Sequence, residues 1–383
     1  MQMESTLQLS VKTLEWAAGK NGSSLPEFAR TLYTRENTAA SITRGELTFS
    51  QIKKFAEQAK VPFGFLFLPT PPEKFTPANS LVDFRTVKNN EPLSDDFLEI
   101  YKDVEHKQTW YKDYLISIDA PKLDFVGKYK NKFASSNTVI ANDLRQTLKL
   151  NEIANHIGNA EDYYNELVKH CEKAGILVFK NSIVVNNTRK PLSPDEFRGF
   201  VIADEYAPAI FINGQDTKYA NIFTLAHELA HVWLGESGIS DVDTNSSNQH
   251  EVKCNAIAAE ILVPNNTFLE NWNANTQDTK SKITTLNNTF KVSELVIARI
   301  ALTNGKISRD DYSSIQADVI RKWHEYKANL RQSEGGPSFA VTLPIKNSRK
   351  VTSTVLSLLK GDRLSPSEAS ILLNVNAARV MSL

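Results

Sequence analysis

Apolar residues recur at helical spacing over most of this chain and at strand spacing in one stretch near its middle. Leu14, Ala17 and Ala18 share a helical face, and Leu25, Phe28, Ala29 and Leu32 repeat the i, i+3, i+4, i+7 pattern. Ser24 before Pro26 is a helix start with proline in the first turn. Ile52, Phe55, Ala56 and Ala59 mark a further helix, and PTPPEK (69–74) ends this first bundle because its prolines cannot continue a helix. Residues 75–90 read as an extended connector, and from 93 to 175 the pattern is helical again. GILVFKNSIVV (175–185) is a β-branched run, a strand or hairpin, followed by two more strand candidates, FRGFVIAD (197–204) and PAIFING (208–214). YANIFTLAHELAHVWLG (219–235) is a long helix with Gly235 at its end. A polar loop, GESGISDVDTNSSNQ, leads to a second helix, VKCNAIAAEIL (252–262), which Pro264 stops. Residues 292–328 read as helical, SEGGPS (333–338) as a linker and 350–383 as two short helices.

The pattern predicts an α+β fold, mostly helical with a small sheet. A length of 383 residues exceeds what one core usually holds. The expected division is a helical bundle over 1–74, a main domain over 75–330 and a small C-terminal extension over 331–383. Within the main domain, 93–175 is a helical lead-in, 175–265 the core and 266–330 a helical closing part.

Charge narrows the function classes. Positive and negative side chains balance to a formal charge of zero, which argues against wholesale electrostatic binding of nucleic acid but leaves a local basic face open. The two cysteines, Cys171 and Cys254, make no disulfide framework. The opening MQMESTLQLS lacks the basic-then-apolar pattern of a signal peptide, and the longest apolar run, Val61 to Leu68, is broken by Pro62 and Gly64. The expectation is a soluble cytoplasmic protein without membrane contact.

The chemistry concentrates in His227-Glu228-Leu229-Ala230-His231. On a helix, i and i+4 share a face, so the two imidazoles converge on one tetrahedral metal, expected to be Zn2+. Glu228 flanks that site and can act as the catalytic base on water. Apolar neighbours on nearly every side, Phe223, Leu225, Ala226, Leu229, Ala230, Val232, Trp233 and Leu234, bury this helix, and buried His and Glu need strong partners, which a metal supplies. A hydrolytic site needs a third protein ligand. Glu251 is the favoured candidate, with Asn255 one turn later placed to hydrogen-bond a ligand histidine. Glu260, His250, Asp241 and Asp243 remain rivals. Tyr219, Tyr206 and Arg198 are candidates by position for stabilising an oxyanion.

The Glu-x-x-x-Asn spacing resembles the Glu-x-x-x-Asp arrangement of gluzincin peptidases. IFTLAHELAHVWLG followed by HEVKCNAIAAEILVP is similar to the ImmA/IrrE metallopeptidases, as is the segment Asp195-Glu196-Phe197-Arg198-Gly199-Phe200 before the strand AIFING. LFLPTPPEK and Val82-Asp83-Phe84-Arg85-Thr86 resemble the longer members, which carry a degenerate helix-turn-helix bundle in front. GGPSFAVTLPI…GDRLSPSEASILLNV resembles their C-terminal extension. The resemblance implies a zincin-like sheet beside the active-site helix. It also implies a cytosolic zinc endopeptidase that cleaves a transcriptional repressor, with His227, His231 and Glu251 as metal ligands and Glu228 as base. Another class of function competes: a DNA-binding regulator in which residues 10–66 dock on operator DNA through Arg35, Arg44, Lys53 and Lys54, while the zincin-like region senses a ligand or partner.

Overall fold

A computed structural model describes residues 6–19, 23–33, 35–59, 61, 63–71, 82–83, 93–153, 158–240, 248–329 and 338–383. The chain divides into two compact units, Met1–Thr76 and Pro77–Leu383.

The first unit is helical with one small hairpin. Strand β1 (Thr6–Gln8) precedes α1 (Val11–Gly19), α2 (Leu25–Leu32) and α3 (Glu36–Thr43); β2 (Glu46–Thr48) then pairs antiparallel with β1 before α4 (Phe49–Ala59) and a 3-10 turn, Phe63–Phe67. Ser24 caps α2 in a full capping box with Glu27, and Pro26 occupies the first turn. Leu14, Phe28, Ile42, Leu47, Phe55 and Leu66 centre a core of its own.

The second unit begins with β3 (Val82–Asp83), α5 (Asp95–Ser117), α6 (Asn137–Thr147) and α7 (Ala160–Ala174). The strands follow: β4 (Leu177–Asn181), the hairpin β5 (Ile183–Val184) and β6 (Asn187–Pro191), then β7 (Gly199–Ile202) and β8 (Ala209–Asn213). Next come the long helix α8 (Lys218–Leu234), strand β9 (Gly238–Ser240) and α9 (Gln249–Leu262). Helices α10 (Asn265–Ala274), α11 (Thr279–Phe290), α12 (Glu294–Thr303) and α13 (Arg309–Asn329) close this part.

The five-stranded sheet has the order β3-β9-β7-β8-β4. β4 runs parallel to β8, β7 antiparallel to both β8 and β9, and β3 parallel to β9. Every residue of β8 is buried and α8 packs across β7 and β8, so this strand reads as a continuous apolar run and not as an alternating one. The mostly helical α+β class predicted from the pattern is the one observed. No helix among the described residues is long and apolar enough to cross a membrane.

Two segments differ from the pattern. The loop after α8 contains β9, three residues whose pairing comes from β7 and not from any alternation of their own. The stretch 350–383, expected as two helices, holds three, α15 (Arg349–Lys360), α16 (Pro366–Leu373) and α17 (Ala377–Val380), and α14 (Phe339–Lys346) precedes them. The apolar run FAVTLPI carries Pro344 yet still forms the short α14, and α14 and α15 both lie on β4. Of the connector 75–90 only Val82–Asp83, and of the linker 333–338 only Ser338, fall within the described residues.

Candidate metal centre

Helix α8 starts where Thr217 accepts a hydrogen bond from the Ala220 amide at 3.1 Å, and ends at Gly235, whose backbone is left-handed (φ 70°). Between those caps nearly every side chain is buried, including His227, Glu228 and His231, each with no exposed surface. α9 crosses α8, with Asn248 capping its start. Glu251, Cys254, Asn255 and Ala258 follow i, i+3, i+4, i+7, so the face that seals α9 against α8 also carries Glu251 and Asn255 to the histidines.

Three residues bring their donor atoms together. His227 Nε2 and His231 Nε2 are 3.0 Å apart, His231 Nε2 and Glu251 Oε1 3.1 Å, and His227 Nε2 and Glu251 Oε2 3.2 Å. For ligands about 2.0–2.1 Å from a tetrahedral zinc, neighbouring donors stand about 3.3 Å apart. The nearest-atom separations, each histidine to its own oxygen of Glu251, lie close to that spacing, and two imidazoles with one carboxylate are a suitable donor set. Glu251 is fully buried, and both oxygens of the equally buried Glu228 lack a hydrogen-bond partner among the described residues. Two buried carboxylates beside two imidazoles form a pocket that a divalent cation would neutralise.

The outer ring nitrogens are also engaged. His227 Nδ1 is 2.9 Å from Asn255 Oδ1, which fixes the Nδ1–H tautomer and aims the Nε2 lone pair at the cluster. His231 Nδ1 faces Glu236 Oε2 at 3.3 Å and Cys254 Sγ at 3.5 Å.

Charge and burial set the protonation of the group. Burial, together with the charge of Glu251 and against that of His231, pushes the Glu228 carboxyl up to about 8. Burial would also raise Glu251, but hydrogen bonds and charges from His227 and His231 outweigh it and hold that carboxyl down at about 2. For His231, burial depresses the imidazole, and its negative surroundings reverse the sign and raise it. Burial pushes the Cys254 thiol up, and Cys254, Glu236 and Glu251 are the neighbours that raise His231.

The rivals for the third position lie elsewhere. His250 is half exposed and its Nδ1 contacts Glu236 Oε1 at 2.5 Å. Glu260 accepts from the Asn265 amide at the start of α10. Asp241 and Asp243 lie outside the described residues. Among the oxyanion candidates, Arg198 pairs with Asp216 at 3.4 Å, Tyr206 lies under Lys122 and Tyr219 packs against the large core. Sequence reasoning missed Glu236, which comes five residues after His231 in the segment read as a polar loop; no spacing rule marks it.

Residues 171–301 match the family model described as Peptidase_M78, IrrE N-terminal-like domain. Over that stretch the chain is similar to an IrrE N-terminal-like domain. This is a metallopeptidase family, and the matched stretch runs from the end of α7 through α12, taking in the sheet from β4 onward and the whole cluster. No curated protein and no solved structure matches the chain.

Proposed function

We propose that this chain is a zinc endopeptidase acting on a protein substrate, a regulator of the repressor or antitoxin class. His227, His231 and Glu251 hold the metal, Glu228 is the general base, and Asn255 orients His227. The observation that carries this reading is the convergence of three buried residues whose nearest donor atoms stand 3.0–3.2 Å apart, with a buried carboxylate alongside.

Bound zinc would act as a Lewis acid toward the scissile carbonyl and lower the pKa of water at the site. Glu228 does the proton work. Burial raises the Glu228 carboxyl, and a cation held beside it would favour the carboxylate form that accepts the proton. It takes the proton from the attacking water and delivers it to the leaving amine. Burial of the whole group keeps bulk water from competing for that proton.

Glu228→Gln keeps the shape and loses the base, so it is expected to bind zinc normally and to lose cleavage by about 100-fold or more. The measurement is co-expression with a candidate repressor, a small one encoded beside this gene if there is one, reading cleavage on a gel, with metal analysis of the same protein. Unchanged cleavage by Glu228→Gln would remove the base assignment, and full zinc retention by Glu251→Ala would pass the third-ligand role to another residue.

DNA binding by the first unit is the weaker reading. Of its four candidate phosphate contacts, Arg44 pairs with Glu46 at 3.1 Å, and Lys54 donates to the Leu32 carbonyl and lies over the Tyr33 ring. A specific complex needs several free cations along the backbone.

A further inference from the structure

Helix α8 does more than present two histidines; the way it ends returns a carboxylate to one of them. Gly235 turns the chain left-handed at φ 70°, and the Glu236 amide donates back to the His231 carbonyl at 3.0 Å. The turn is tightly held. A Cβ on Gly235 would stand 2.8 Å from the Cα of Gly127, and the Gly127 amide donates to the Val232 carbonyl at 2.9 Å. Glu236 is thereby fixed one turn beyond His231, and its Oε2 lies at ion-pair distance from His231 Nδ1, 3.3 Å, without the geometry of a hydrogen bond. Its other oxygen, Oε1, contacts His250 Nδ1, and the His250 ring lies 4.7 Å from that of Phe133.

We propose that Glu236 is a positioning residue for the metal ligand His231, held in place by His250. This rests on the zinc reading of the His227, His231 and Glu251 cluster. A carboxylate at Nδ1 selects the Nδ1–H tautomer and leaves the Nε2 lone pair directed at Glu251 and His227. It also strengthens His231 as a donor, because the negative charge withdraws the Nδ1 proton toward itself. The two histidines are thus oriented by different chemistry, His227 by the neutral amide of Asn255 and His231 by a charged group. Cys254 Sγ approaches the same Nδ1 at 3.5 Å, but sulfur is a weak acceptor beside a carboxylate. His250, the rival ligand beside Glu251, acquires a role at one remove: it anchors the residue that orients the ligand.

The test uses the purified full-length chain stripped of metal. Zinc affinity is measured by competition with a chromophoric chelator, and the visible spectrum is recorded after loading with Co2+. Glu236→Ala is expected to weaken zinc binding by about 10–100-fold and to shift the cobalt bands. Glu236→Gln, which keeps an acceptor without the charge, is expected to fall between Glu236→Ala and wild type, and Cys254→Ser to stay near wild type. Circular dichroism of the metal-free proteins shows that each variant is folded; if Glu236→Ala is not, Glu236→Gln decides alone by its affinity. Wild-type zinc affinity and cobalt spectrum in the Glu236 variants would overturn the inference while leaving the zinc reading intact. So would a loss confined to Cys254→Ser. Wild-type protein that takes up no zinc would overturn the zinc reading itself, a distinct result.

Discussion

Gly199 on β7 lies against the carboxylate of Glu228. A Cβ there would stand 2.7 Å from Glu228 Oε1, 2.8 Å from Thr224 Cγ2 and 3.0 Å from the Phe211 carbonyl oxygen. The first two atoms belong to the helix that carries the cluster and the third to the neighbouring strand's backbone, so none yields without moving the site. Its partner across the strands is Ser240 on β9, also fully buried. Gly199→Ala is therefore expected to cost about 1–3 kcal/mol, as overpacking does in a close-packed core. Chemical denaturation of the metal-free protein would measure it, and a loss below about 0.5 kcal/mol would mean the contact is not tight. At this scale the sequence was legible where one helix determines the geometry. His227, His231, Glu251 and Asn255 are all reached by i, i+4 arithmetic on two helices. Gly199 and Glu236 were not, because each acts on its neighbour through a fold-level approach, one across a strand pair and one around a left-handed turn.

Among the elements, α15 shows a helix start that no local pattern predicts. Ser348 has a positive φ of 59° and its hydroxyl makes no cap to its own helix. The cap comes from α7: Glu172 Oε1 accepts from the Ser348 hydroxyl at 2.7 Å and from the Arg349 amide at 2.8 Å. Removing it in Glu172→Ala leaves buried donors unpaired, at an expected cost of about 1–2 kcal/mol in unfolding free energy. Its pH dependence has a definite sign. Burial raises the Glu172 carboxyl above its ordinary value, outweighing the hydrogen bonds from Ser348 and Arg349 and the Arg349 charge. The folded state then holds the proton more tightly than the unfolded state. The stabilisation is full below the ordinary carboxylate range and is lost as pH rises through the raised value. Glu172→Gln cannot titrate, so its stability relative to wild type should increase with pH across that window. Unfolding midpoints measured from pH 4 upward would show it, and a constant difference would refute the argument. The same long-range support explains why the C-terminal helices and β9 were poorly legible. Strong periodicity revealed α8 and α9, whereas β9 is too short to alternate and α15 borrows its cap from a distant part of the chain.

At the scale of the whole molecule, the two compact units raise the question of what the metal centre needs. The proposed ligands, the residues proposed to orient them and the strands beneath them all belong to Pro77–Leu383. Helices α14 and α15 pack on β4 in that same unit, and the side chain of Asn374 donates to Asp103 on α5 at 2.7 Å, tying the C-terminal helices to the lead-in. The first unit has a separate core around Leu14, Ile42 and Phe55, and a domain of this size buries enough surface to fold alone. Residues 77–383 expressed without the first unit are therefore expected to fold and to bind zinc within about twofold of full-length affinity, since no ligand or orienting group is removed. A chelator competition on both proteins measures this directly. A tenfold loss, about 1.4 kcal/mol of binding free energy, would show that the first unit supports the metal site through contacts beyond the described ligands. Equal affinity would confine the first unit's role to substrate, partner or DNA, and cleavage assays comparing the two lengths could then assign that role without confusing it with metal loss.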